Sequence, residues 1–106
     1  MSDINVTVIS GTFAWEPEPK YSEEGKCTCP FKVTILRQFG EKEYKDTVDC
    51  VAFGATAEVV ATGGKGDRVV ASGRVGSRSY EKDGKRIYTT QVVVENVEVI
   101  PSVEAG

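Results

Sequence analysis

Histidine is missing altogether from this 106-residue chain, and cysteine, methionine and tryptophan number only three, one and one. Without histidine the commonest general base is gone. Cys27, Cys29 and Cys50 are also left one ligand short of a closed four-ligand zinc site, with no imidazole to complete it. Nor do the three thiols make a disulfide framework. Their number is odd, Cys27 and Cys29 lie too close along an extended strand to bridge one another, and no signal-like apolar run precedes them. They read as reduced thiols in a cytoplasmic compartment. No apolar stretch approaches the roughly 20 residues that span a bilayer. No glycine loop has P-loop spacing, and no carboxylate pair is placed together by the sequence. An enzyme, a bound metal, a cofactor and a membrane partner all go unsupported.

Positive charge is in short supply too, with 13 Lys and Arg against 16 Asp and Glu and a formal net charge of -3. A wholly basic surface is excluded, but the average conceals an uneven distribution. Residues 1–64 hold six basic and ten acidic side chains, residues 65–86 seven and three, and residues 87–106 none and three. The positive charge sits on one segment, which suits a polyanion touching one face. At this length the chain is one domain whose core must be a compact sheet or barrel.

Residues 65–96 organise the rest. Val69, Ala71, Gly73 and Val75 alternate with Val70, Ser72 and Arg74, the period of a strand with one buried face. After the tip Glu81-Lys82-Asp83-Gly84-Lys85 the alternation resumes, with Tyr88, Thr90, Val92 and Val94 on one side and Thr89, Gln91, Val93 and Glu95 on the other. Asp-Gly is the strongest short hairpin signal, because both residues tolerate the positive φ of a type I′ turn. A long β-ribbon is therefore expected. Upstream, Ile4, Val6 and Val8 alternate with Asn5, Thr7 and Ile9 up to a glycine kink at Gly11. Residues 15–19, with two prolines, form a bend or an edge. A second strand covers residues 26–37, with Phe31, Val33 and Ile35 on one face and Pro30 marking an edge or bulge. Residues 39–46 read as a polar connection into a third strand, residues 47–53. Residues 55–62 read as a helix of about two turns ending at Gly63-Gly64. Three strands, a short helix and two strands are the order of the five-stranded Greek-key barrel called the OB-fold.

These residues resemble the bacterial and phage single-stranded-DNA-binding protein family over almost the whole chain. The opening IN-x-x-V-I-x-G is similar to the family's first strand, and EPEPKY followed by Gly25 to its Asp-Pro-Glu-x-Arg-Tyr segment. Phe31 and Arg37 fall where its second strand has a core phenylalanine and a terminal arginine. CVAFG with Ala57-Glu58-Val59 resembles the passage from third strand to helix. KGDRVVASGRV and RSYEKDGKRIYTTQVVVENVEVI resemble the last two strands and their hairpin.

The resemblance implies an all-β OB-fold, with one short helix between the third and fourth strands and a long hairpin between the fourth and fifth. It also implies binding and protection of single-stranded DNA during replication, recombination or repair. Such binding needs aromatic faces for bases and a basic path for the backbone. Phe53 and Tyr80 match stacking positions of the family and Phe39 lies close to a third. A further stacking tryptophan is replaced by Thr47. Trp15 occupies a position where the family is not expected to carry one, and it reads equally as an edge-packing residue or a contact. Tyr44 and Tyr88 fit partly buried strand positions as well, and Tyr88 joins the candidate site. For the backbone the candidates are Arg74, Arg78, Lys82, Lys85 and Arg86, with Lys32, Arg37 and Lys65 from adjoining segments. The family implies a homotetramer, with a dimer as second choice. A physical motive lies in residues 4–9, which are apolar on both faces. Many bacterial members end in an acidic tip that recruits other proteins. The chain stops close to the barrel, as a tail-less phage or plasmid copy would, or as a domain cut from a longer chain; recruitment by that route is not expected. The competing readings are an OB-fold adaptor of primosomal type, and a binder of single-stranded RNA, since stacking platforms do not distinguish sugars.

Overall fold

The computed structural model describes residues 3–101. Its strands are β1 (Thr7–Phe13), β2 (Lys20–Tyr21), β3 (Cys27–Phe39), β4 (Lys42–Phe53), β5 (Arg68–Lys82) and β6 (Lys85–Ile100), with a helix α1 (Gly54–Val60) between β4 and β5. The sheet order is β1-β5-β6-β4-β3-β2, and a further pairing of β1 with β3 closes the five long strands into a barrel. All pairings are antiparallel except β4 with β6, which run parallel over Cys50–Ala52 and Val92–Val94. This is the OB-fold expected from the order of elements.

The core follows from strand alternation. Phe13, Cys27, Cys29, Phe31, Val33, Cys50, Ala52, Val69, Ala71, Val92 and Val94 point inward, and Ala57 and Val60 of α1 complete the same cluster at one end of the barrel. The rings of Phe13 and Phe31 meet tilted, 5.7 Å between centroids. Among the described residues no polar or charged side chain is buried, so the barrel interior is held by apolar burial alone. The three cysteines are buried and free. Burial drives the Cys50 thiol up from 9.0 to about 12, with the neighbouring Asp49 charge adding to it, and raises Cys29 as well.

Two glycines are set by close approach. A Cβ on Gly11 would stand 2.3 Å from the Thr34 carbonyl oxygen, where β1 crosses onto β3, and one on Gly73 would stand 1.9 Å from the Val93 carbonyl oxygen. Gly11 thus lies inside β1 and permits barrel closure, rather than kinking its end. At Gly73 the register with β6 shifts by one residue. This bulge switches the inward face of β6 from Val92 and Val94 to Val97 and Val99.

Other boundaries differ from the sequence reading. In β1 the inward residues are Ile9, Gly11 and Phe13, whereas Ile4, Val6 and Val8 are 94%, 75% and 67% exposed. Residues 39–46 are no connection. β3 and β4 pair continuously from Thr28 with Phe53 to Phe39 with Lys42, around a turn at Gly40 and Glu41. Pro30 sits in that unbroken register and exposed, with its other edge in the gap between the β2 and β1 pairings, so it marks an edge and no bulge. The helix starts one residue earlier and ends two residues earlier than expected, and its C-cap is Ala61 in ordinary right-handed geometry. Gly63 instead gives room to the Phe13 ring, which a Cβ would meet at 2.4 Å.

Candidate nucleic-acid interface

Both hairpins project from the same end of the barrel. Because β4 and β6 run parallel, Lys42, eight residues before Cys50, and Lys85, seven before Val92, stand roughly level. The turn at Asp83 and Gly84 has φ of 52° and 77°, the positive pair that the Asp-Gly dipeptide supplies for a two-residue hairpin. Above Cys50 and Val92 the parallel pairing stops and a groove opens between the hairpins.

Facing partners in a ladder share a side of the sheet, so the register says which side chains look out together. On the outer side of β5 and β6 stand Arg74, Arg78, Tyr80 and Lys82, opposite Val93, Thr89, Ile87 and Lys85. On the outer side of β3 and β4 stand Thr28 with Phe53, Pro30 with Val51, Lys32 with Asp49 and Thr34 with Thr47. Phe53, the last residue of β4 and N-cap of α1, is 54% exposed. Beside it a hollow is lined by Gly25, Lys26, Thr28, Ala55 and Glu58. Tyr80 is 42% exposed, with the Arg78 guanidinium 5.9 Å from its ring centroid.

Between these two aromatics lies a groove of about 410 Å³ whose lining includes Trp15, Lys32, Asp49, Arg78, Thr89 and Gln91, together with Glu18 and Lys20. Trp15 reaches it from the loop after β1 and is held there by Lys32, whose ammonium is 5.1 Å from the ring centroid and 3.4 Å from Asp49. Strands β3 and β4, the loop after β1 and the last hairpin are the surfaces through which OB-folds bind oligonucleotides. Trp15, ambiguous in the sequence, falls on that surface.

Other candidates lie elsewhere. Arg86 and Tyr88 face the opposite side of the ribbon, with Arg86 donating to the Ser79 hydroxyl at 3.0 Å and pairing with Glu81 at 3.8 Å. Counting across the two-residue turn would have placed them there. Arg37 is occupied by Asp46 at 3.1 Å and stacks over Tyr44 at 5.0 Å. Phe39, 76% exposed, lies at the tip of the other hairpin in register with Lys42. By alternation Arg37, Phe39 and Tyr44 share the side that lower down faces the core. Lys65 is exposed in the loop after α1. The groove residues Asp49, Thr89 and Gln91 were not singled out from the sequence; a signal for Asp49 was its place opposite Lys32 once the hairpin is paired.

Residues 4–100 match the sequence model of the single-strand binding protein family. Curated relatives named single-stranded DNA-binding protein include one from Fusobacterium nucleatum, 34% identical over 101 residues, covering 90% of this chain and 66% of that protein. Another, from Clostridium perfringens, is 37% identical over 106 residues, covering 97% of this chain and 70% of the relative. A third, from Lactiplantibacillus plantarum, is 37% identical over 105 residues and covers 93% and 52%. The chain thus spans between about half and just over two thirds of these relatives. With nearly every described residue inside the match, the chain belongs to the single-strand binding protein family.

Proposed function

We propose that this chain binds and protects single-stranded DNA as a non-catalytic coat, in replication, recombination or repair. The observation that carries the reading is a single outer face on which Phe53, Trp15 and Tyr80 follow one another, flanked by Arg74, Arg78, Lys82 and Lys85. Among the described residues these four cations have no carboxylate within ion-pair distance, so each is available to a phosphate. Stacking on exposed rings accepts any base, and the cations follow the backbone. Duplex DNA hides its base faces and would be bound more weakly. The names of the relatives support the same ligand.

The test is a titration with poly-dT, poly-U and duplex DNA at two salt concentrations. Preference for poly-dT, with log K falling by about 0.7 per phosphate contact for each unit of log salt, supports the reading. Equal affinity for duplex, or no salt dependence, overturns it, and a clear preference for poly-U moves it to RNA.

A homo-oligomer, tetrameric or else dimeric, is part of the proposal. Between Thr7 and Gly11 the outer edge of β1 has no strand partner among the described residues, and Ile4, Val6 and Val8 beside it are exposed. An open apolar edge of this kind invites pairing with another chain. Light scattering at micromolar concentration showing only an 11.5 kDa species would contradict it.

A further inference from the structure

The groove at Trp15 differs from a backbone track in its charge. Lys20 and Lys32 are matched in number by Glu18 and Asp49, with Lys32 tied to Asp49, which leaves Arg78 as the one cation in excess in its lining. A phosphate gains little from so nearly balanced a set, and two carboxylates repel it. What the groove does offer is an aromatic wall that is 51% exposed, with hydrogen-bonding side chains Asp49, Thr89 and Gln91 around it. Its volume of about 410 Å³ lies within the roughly 300–1,000 Å³ of pockets that take small organic ligands.

We propose that this groove is a base-reading subsite, in which one base of the bound strand packs against Trp15 and turns its hydrogen-bonding edge to Asp49. This rests on the single-stranded DNA reading and adds to it a preference among bases. A carboxylate only accepts hydrogen bonds, so it favours an exocyclic amino group and disfavours a carbonyl at the same place. Aspartate accepting from cytosine N4 is a known base-edge pairing. Thymine presents O4 there and leaves the carboxylate unpartnered. Gln91, with both a donor and an acceptor, tolerates either base and keeps the preference modest. Lys32, whose side chain is 41% exposed, fixes the orientation of Asp49 and has room to yield the ring to a base. The subsite therefore ranks cytosine above thymine, superimposed on stacking elsewhere that ignores base identity.

Trp15 is the single tryptophan of the chain, so its emission reports on this groove alone. Binding is followed separately by anisotropy of dye-labelled oligo-dC and oligo-dT at pH 8, with the native chain and Asp49→Asn. The variant keeps the shape and adds a donor able to meet thymine O4. The expected result is a dC-to-dT affinity ratio about five-fold higher in the native chain than in the variant, the lower end of what a base-edge contact contributes. Trp15 emission should change on binding either oligonucleotide. An unchanged ratio, or tight binding with unaltered Trp15 emission, overturns the subsite and leaves single-stranded DNA binding intact. Failure of both oligonucleotides to bind overturns the broader function instead.

Discussion

Asn5 closes a two-way hydrogen bond with the peptide of Val75: its side-chain amide donates to the Val75 carbonyl at 2.8 Å, and its side-chain oxygen accepts from the Val75 amide at 2.9 Å. The side chain stands in for a strand, continuing past Thr7 and Gly73 the ladder that β1 forms with β5. It anchors the exposed residues 4–6 to the base of the ribbon. Asn5→Ala removes both bonds at a solvated site, for an expected loss of about 1–2 kcal/mol. Asn5→Asp loses the donor and costs less. Hydrogen exchange should quicken at the Val75 amide in Asn5→Ala but not in Asn5→Asp, which keeps the acceptor for that amide, and unchanged exchange in Asn5→Ala would show that the ladder ends at Thr7.

The two crowded glycines should be among the least replaceable residues. Gly11→Ala forces a methyl against the Thr34 carbonyl, and Gly73→Ala forces one against that of Val93. Backbone cannot swing aside as a side chain can, so each substitution is expected to cost at least the roughly 1–3 kcal/mol of overpacking. Gly11→Ala should loosen the β1–β3 closure. Gly73→Ala should disturb the bulge that lets Val97 and Val99 reach the core. Urea melts with both midpoints unchanged would contradict these close approaches.

What the sequence made legible was whatever has a one-sided pattern. The ribbon, its Asp-Gly turn, the inward row Phe31, Val33, Ile35 and the order of elements all carry local signals, and all appear. The upper β3–β4 hairpin does not, because neither of its sides is buried: Glu41, Lys42, Glu43 and Lys45 are exposed, so no period of two is written there. In β1 both parities are apolar, and the choice of inward face is made by Gly11 and Phe13 against β3. The bulge is silent for a similar reason, since the valines around Glu95 read as one continuous strand. The groove joins the loop after β1 to the four long strands β3, β4, β5 and β6, and so depended on register that only the folded barrel defines.

The buried thiols give the fold an alkaline weakness. Cys50 holds its proton to about pH 12 in the folded state, against 9.0 when solvated, because burial penalises the thiolate. Below pH 9 both states keep the proton and nothing is lost. Above it the unfolded chain ionises while the folded chain does not, so stability falls as pH rises toward 12. Cys29 shifts in the same direction. The melting temperature should drop between pH 9 and 11 and drop less in Cys50→Ala, once that variant's own cavity cost is subtracted at pH 7. At pH 8 all three thiols should react with a disulfide reagent only after denaturant is added.

The two sides of the ribbon should differ in their response to charge removal. Lys82 and Lys85 share the outer side with Tyr80, whereas Arg86 is turned away and held by Ser79 and Glu81. Lys82→Ala and Lys85→Ala should each reduce the salt slope of single-strand binding by about 0.7. Arg86→Ala should leave the slope alone. If Arg86→Ala lowers the slope as much as Lys82→Ala, the strand wraps both sides of the ribbon and the one-face arrangement is wrong.

Tyr80 offers the cleanest separation of binding from folding. Its ring lies on the outer side of the ribbon, part-covered by Arg78 and paired across the ladder with Ile87, well away from the cluster around Phe13 and Phe31. Removing it touches no core contact, so Tyr80→Ala should change stability by about 0.5 kcal/mol or less. A lost base stack costs about 1–3 kcal/mol, or roughly five- to 150-fold in affinity for poly-dT. Tyr80→Phe should bind almost as the parent does, since the ring and not the hydroxyl makes the stack. Phe53→Ala provides a less clean comparison. That residue stands at the N-cap position of α1, where its side chain makes no capping hydrogen bond but borders the hollow shared with Thr28 and Ala55, so its loss should lower affinity and melting temperature together. Parallel melts and titrations separate the cases. A Tyr80→Ala variant that melts like the parent and binds poly-dT equally well removes Tyr80 from the interface, while one that melts far below the parent makes it a packing residue of the ribbon.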